Sequence, residues 1–169
     1  MQRTLWTERK FNFDFPVGLF PNILERLRGT PARLNVITSG LTEEDAGQKQ
    51  GDKWSIKEQI GHLADLEALH EGRINDFLLR KESLRPADMS NAATRNADHN
   101  DASLADLINN FSVKRTVFVS RLEQLSDEIH EIKALHPRLK VHMRPIDMAY
   151  FTAEHDDHHL TSIRELMKK

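Results

Sequence analysis

The sequence predicts an all-α protein, a four-helix bundle, and three observations carry that expectation. Four long stretches repeat apolar residues every three or four positions, the period of a helix. Serine-led caps open two of them, at Ser55 and Ser103. The alternating run Phe11, Phe13, Phe15 has no second strand elsewhere in the chain to pair with.

The first fifteen residues read as an extended arm. Its phenylalanines alternate with Asn12 and Asp14, which would lay the aromatic side on the body. The first helix begins near Pro16–Leu19 and runs through Ile23, Leu24 and Leu27 to Arg28. Gly29-Thr30-Pro31 interrupts it: Thr30 can cap, and Pro31 suits the first turn of a second piece carrying Leu34, Val36 and Ile37 to Gly40. Residues 41–53 are polar and contain glycine, so a loop is expected. The second helix starts at a capping box, Ser55 with Glu58. It carries Ile56, Ile60, Leu63, Leu66, Leu69, Ile74, Phe77 and Leu78 and fades after Arg80. Residues 81–102 hold little apolar content. At about 22 residues they form a long connection, able to cross the bundle so that the second and third helices run parallel. The third helix starts at Ser103 and carries Leu104, Leu107, Ile108, Phe111, Val117, Phe118 and Leu122. After a segment around 126–142 with no convincing strand, the fourth begins at Pro145 and runs to the C-terminus.

At 169 residues, the chain fits a single domain, 1–169. It has no cysteine, which excludes disulfides, thiolate metal sites and cysteine nucleophiles. A formal charge of −2 gives no basic face for nucleic acid. No apolar run approaches the roughly 20 residues of a membrane span, and Met1–Lys10 lacks the apolar stretch of a secretory signal. A cytoplasmic protein is expected.

Chemistry gathers in Glu154-His155-Asp156-Asp157-His158-His159-Leu160. His155 and His159 are four residues apart, about 40° around a helix, so both imidazoles can point at one spot. Met148, Phe151, Ile163 and Leu166 share that direction, which turns the pair toward the core. Such a pair suits a divalent transition metal. His158 lies about 100° from His159 and can replace it or donate to a carboxylate. A catalytic metal asks for a third protein ligand, and the second helix offers His62 or His70. Angular position mildly favours His70, nearer the centre of the apolar stripe. His99, His130, His136 and His142 lie in polar segments and read as exposed or structural.

Trp54-Ser55-Ile56-Lys57-Glu58-Gln59-Ile60-Gly61-His62-Leu63 resembles the W-S…H-L signature of the DinB/YfiT-like superfamily. His155-x-x-His158-His159-Leu160-x-x-Ile163 resembles that family's closing H-x-x-x-H-L-x-x-I motif, in the family's order and at about its spacing. The resemblance covers nearly the whole chain. It implies a bundle of up-down-down-up connectivity holding one divalent metal on His62, His155 and His159; the choice of His62 over His70 comes from the resemblance. Three imidazoles suit zinc, nickel or iron, with zinc or nickel expected, while magnesium and calcium prefer oxygen.

The resemblance further implies a metal-dependent enzyme acting on small molecules. A thiol S-transferase or isomerase using a low-molecular-weight thiol is slightly favoured over a hydrolase. Asp156 and Asp157 are candidates to orient an imidazole, and Arg26 and Arg73 to receive an anionic cofactor. A di-iron carboxylate bundle built on Glu67-x-x-His70 and Asp156-x-x-His159 is a weaker alternative, short of two glutamates. A non-enzymatic stress or interaction protein is another. A homodimer through a helix face or the aromatic arm is expected.

Overall fold

The computed structural model describes residues 3–168. Its elements are α1 Phe20–Arg28, α2 Thr30–Thr38, α3 Glu43–Gly47, α4 Ile56–Leu78, α5 Ala92–Arg95, α6 Leu104–Glu123, α7 Asp127–His130, β1 Ala134–His136, β2 Val141–Met143 and α8 Pro145–Leu166. The bundle is built from α4, α6, α8 and the broken rod α1–α2. Cross-helix contacts give the directions. Lys114 reaches the Ala64 carbonyl and Arg121 the Asn75 side chain, so α4 and α6 run parallel. Arg26 pairs with Glu154 and Arg33 with Asp157, so α1–α2 runs with α8. His159 meets Gln59 while His155 meets His62, so α8 opposes α4. The order is therefore up-down-down-up. Among the described residues, no helix is long and apolar enough to cross a membrane.

The helix starts follow the local chemistry. Ser55 and Glu58 close the capping box on α4, Ser103 caps α6 through the Asp106 amide, and Pro145 occupies the first turn of α8. Four local expectations need correction. Thr30 does not cap α2: its hydroxyl donates to the Asp156 carboxylate at 2.8 Å, and Val36 is exposed. Residues 41–53 contain a short helix, α3, capped by Thr42. Residues 134–143 form an antiparallel hairpin whose turn places Lys140 at φ 58°. Strands of three residues are too short for alternation to show. The hairpin is held instead from outside, where the connection after α4 exchanges backbone hydrogen bonds with Leu135 through Glu82 and Leu84.

The N-terminal arm packs on its own chain. Phe11 meets Phe151 edge-on at 5.0 Å, and Phe15 meets Tyr150 at 5.2 Å. The long connection lies hard against α4, and two helical glycines permit it. A Cβ on Gly61 would stand 2.3 Å from the His99 ring, and one on Gly72 would stand 2.1 Å from the Arg85 guanidinium.

The interior is apolar at both ends and polar at mid-height. One apolar cluster gathers Phe20 to Leu27, Ile74, Phe77, Phe118, Leu122 and Ile146 to Ala153. The other gathers Leu34, Ile37, Ile56 to Ala64, Leu104 to Phe111 and Leu160 to Leu166. Between them each rod supplies one polar side chain: Thr30, Glu67, Arg115 and Asp156, all at most 1% exposed. Arg115 donates to Glu67 at 2.7 and 3.1 Å, to both Asp156 oxygens, and to the Leu27 carbonyl at 3.3 Å. Burial alone would weaken its charge, but the carboxylates on either side hold Arg115 firmly protonated. One cation cannot fully serve two buried anions, and Glu67 Oε2 has no partner. Burial accordingly pushes the Glu67 carboxyl up to about 7, against the pull of Arg115.

A carboxyl raised on folding contributes stability below its unfolded pKa and loses it as pH rises through the folded value. Glu67→Gln, a permanent copy of the protonated side chain, should therefore gain on the parent protein between pH 5 and 8 by roughly 3 kcal/mol. Urea titrations of both proteins across that range measure the gap. A gap that stays constant with pH would show Glu67 to be ionised throughout.

Candidate metal centre

Helix periodicity turns His155 and His159 to the same side of α8, and α4 brings His62 opposite them. The His159 ring lies 4.4 Å from His155 and 4.9 Å from His62, and the His62 and His155 rings are 5.5 Å apart, centre to centre. Each imidazole offers one ligand nitrogen, and those three atoms fall within 4.8 Å of one another. Among the described residues, this is the group of histidine and acidic side chains that converges closely enough for an ion.

Hydrogen bonds decide which nitrogen each ring presents. Gln59 Oε1 can only accept, so His159 carries its proton on Nδ1, at 2.5 Å from that oxygen. Thr94 gives its hydroxyl proton to Asp65 at 2.8 Å and must accept from His62 Nδ1 at 3.0 Å. Both rings therefore turn a bare Nε2 lone pair away from their anchors. His159 Nε2 faces His155 Nε2 at 3.1 Å. Two nitrogens so placed need between them either a proton, which the neutral His155 ring can supply from its own Nε2, or a cation. The separation is close to the roughly 3.4 Å expected of two ligands bonded at 2.0–2.1 Å to a tetrahedral ion.

Desolvation keeps the three rings uncharged. It pushes His62 down to about 4, and His155 and His159 well below the usual histidine value, with each ring's neighbours adding to the effect on that pair. Neutral imidazole is the form that binds metal. Donor type, tautomer and protonation state thus all fit a divalent transition ion.

The group opens onto a cavity of about 550 Å³. Trp54 packs 4.7 Å from His62, and Trp6, brought by the arm, packs 5.0 Å from His155. Leu66, Leu69, Pro86 and Phe151 make much of the remaining wall apolar. Burial of this kind excludes water on most sides yet leaves room for a small molecule beside the imidazoles.

Several side chains sit elsewhere than expected. His70 lines the cavity but turns to Phe118, with a ring distance of 5.4 Å, and lies outside the converging group. His158 stands off, with Trp6 at 5.6 Å. Asp156 and Asp157 orient no imidazole: Asp156 serves Arg115 and Thr30, and Asp157 pairs with Arg26 and Arg33. Arg26 is consequently spent on Asp157 and Glu154, whereas Arg73 does reach the cavity. Glu67 and Asp156 both face Arg115, which removes the carboxylates that a di-iron site would need. His99 is buried against Asp65 at 2.9 Å, and His136 is buried on the cavity wall. The imidazole anchors Thr94 and Asp65 and the wall residue Trp6 carry no sequence signal of their own. Gln59 alone had a readable cue, three residues before His62 on the same capped helix.

The family model of the DinB superfamily matches residues 26–163. Among solved structures, the chain is similar to YfiT from Bacillus subtilis, a probable metal-dependent hydrolase with an unusual four-helix bundle topology. The identity is 20%, the TM-score is 0.77, and the match covers 95% of this chain and 93% of YfiT. It is also similar to a mycothiol-dependent maleylpyruvate isomerase, at 11% identity and a TM-score of 0.69, over 89% of this chain and 61% of that one. No curated protein matches the sequence.

The close seat of His99 on Gly61 yields a prediction. Gly61→Ala should push His99 off Asp65 and outweigh the roughly 1 kcal/mol that alanine gains in a helix, for a net loss of about 1–2 kcal/mol in denaturant titrations. A variant as stable as the parent would mean that the connection yields freely.

Proposed function

The chain belongs to the DinB superfamily, and we propose that it is a metal-dependent enzyme acting on a small molecule, with one divalent transition ion, zinc or nickel, held by His62, His155 and His159. The convergence of three neutral imidazoles within 4.8 Å at the wall of a cavity carries this reading. Three protein ligands leave a position open toward the cavity, the arrangement of catalytic rather than structural sites. A metal there supplies Lewis acidity, lowering the pKa of a bound water or thiol.

The chain's own residues do the rest. Gln59 and Thr94 hold the proton-bearing nitrogens of His159 and His62, which fixes the rings and favours ligation through Nε2. Asp65 strengthens Thr94 as an anchor by accepting its proton. Trp6, Trp54 and Phe151 give the substrate an apolar seat and limit water. An apolar seat with few competing waters suits a thiol nucleophile, so thiol transfer or thiol-dependent isomerisation is the first reading. The likeness of the isomerase, a mycothiol-dependent enzyme, is in keeping with it. Metal-dependent hydrolysis is the second reading, favoured by the nearly full-length structural match to YfiT.

Purification without chelator, a soak in zinc or nickel, and elemental analysis test the ligand set. His62→Ala, His155→Ala and His159→Ala should each fall from one ion per chain to below about a tenth of one, while His70→Ala keeps it. Equal metal loss in all four variants, or no uptake by the parent protein, overturns the assignment.

A further inference from the structure

The cavity holds a second group of side chains that the imidazole site leaves unused. Arg73 is 3% exposed, and its one hydrogen bond among the described residues runs from Nε to the Arg85 carbonyl at 3.2 Å. Arg138 lies over the Trp6 and Phe151 rings, its Cζ 5.9 and 5.7 Å from their centres. Among the described residues, neither arginine has a carboxylate within ion-pair distance. Arg26, Arg85, Arg115, Arg121 and Arg144 each have at least one. Asp76, the acid whose field reaches Arg73, is already held by Arg85 and Lys81. Asp88, also on the cavity wall, is turned to Ser90 and the Ala92 amide.

His136 completes the group. It is 2% exposed, and its Nδ1 accepts the Leu139 amide at 3.2 Å. In the neutral ring the proton must then sit on Nε2, and that buried nitrogen has no partner. Burial, with Arg73 and Arg138 nearby, pushes His136 down to about 4, which keeps the ring in this neutral form. Two guanidinium groups and one N–H donor thus share a cavity wall, and among the described residues only the Arg73 Nε of this group has a protein acceptor. A buried N–H donor without an acceptor is costly, and two neighbouring guanidinium charges repel one another; an anion removes both penalties.

We infer that Arg73, Arg138 and His136 form an oxyanion subsite in the same cavity as the three imidazoles, and that the substrate is a small molecule with an apolar body and a carboxylate or phosphate end. The apolar wall would take the body and the guanidinium groups the anionic end, which places the neutral, reacting part toward His62 and His155. This deepens the proposed function and rests on its cavity being the substrate site, but it does not depend on metal.

Calorimetric titration of the full chain, stripped of metal with chelator and then reloaded with zinc, tests it. The probes are inorganic phosphate, benzoate and the neutral analogue benzyl alcohol. Phosphate or benzoate should bind the stripped protein at least about tenfold more tightly than benzyl alcohol. The anion that binds identifies the headgroup. Arg138→Gln should weaken that binding about tenfold, whereas Arg80→Gln, at an exposed pair with Glu128, leaves it unchanged. Arg138 is only half-buried, so its variant remains informative even if Arg73→Gln fails to fold. Absence of saturable anion binding, or equal binding by Arg138→Gln, overturns the subsite. Anion binding by a chain that takes up no zinc would support the subsite and sink the metal reading; zinc uptake without anion binding would do the reverse.

Discussion

The bundle turns on a single buried cation. Arg115 donates to α4 through Glu67, to α8 through Asp156 and to α1 through the Leu27 carbonyl, and Asp156 extends the link to Thr30 on α2. Moving such charges out of water is expensive, and replacing a buried ion cluster with apolar residues is often neutral or stabilising. Its value here lies in register. Apolar clusters lie on both sides of the layer, so a slide of one rod by a turn would part the charged groups from their partners and press them toward hydrophobic neighbours. Fan-like donors on one arginine and acceptors on the other helices admit one alignment.

That alignment sets the imidazole group. His155 directly precedes Asp156, and His62 lies little more than one turn before Glu67. Fixing Asp156 and Glu67 on Arg115 therefore fixes the heights of α8 and α4 at which the rings meet. The layer also supplies electrostatic context. The Arg115 charge helps hold His70 and His155 uncharged, after the larger effect of burial. The layer thus secures the packing, while burial does most to keep the rings uncharged.

Segments outside the four rods finish the cavity. The connection after α4 brings Thr94 to His62 and His99 to Asp65, and the arm brings Trp6 to His155. The hairpin brings His136, and its turn Arg138, to the cavity wall. These pieces have weak periodicity and hold few residues in regular structure. Their conformation is imposed by what they pack against, as the backbone pairing of Glu82 and Leu84 with Leu135 illustrates.

The difference between what was legible and what was not follows from range. Helix starts at Ser55, Ser103 and Pro145 were readable because a cap is a contact among residues three apart. The shared direction of His155 and His159 was readable because helical geometry alone determines it. The partner on α4 was readable only through the resemblance of Trp54–Leu63 to the family signature, which gave His62; angular position alone leaned to His70, and the structure brings His62 to the pair because a helix between two neighbours can place a stripe-margin residue in the seam. Asp156 and Asp157 looked available to orient an imidazole, and long-range arginines claim them instead. Local chemistry thus determined the rods, their caps and the pair of rings on α8. Tertiary structure alone decided which distant groups satisfy one another, since a buried donor or charge takes the partner that packing delivers and sequence spacing does not encode that delivery.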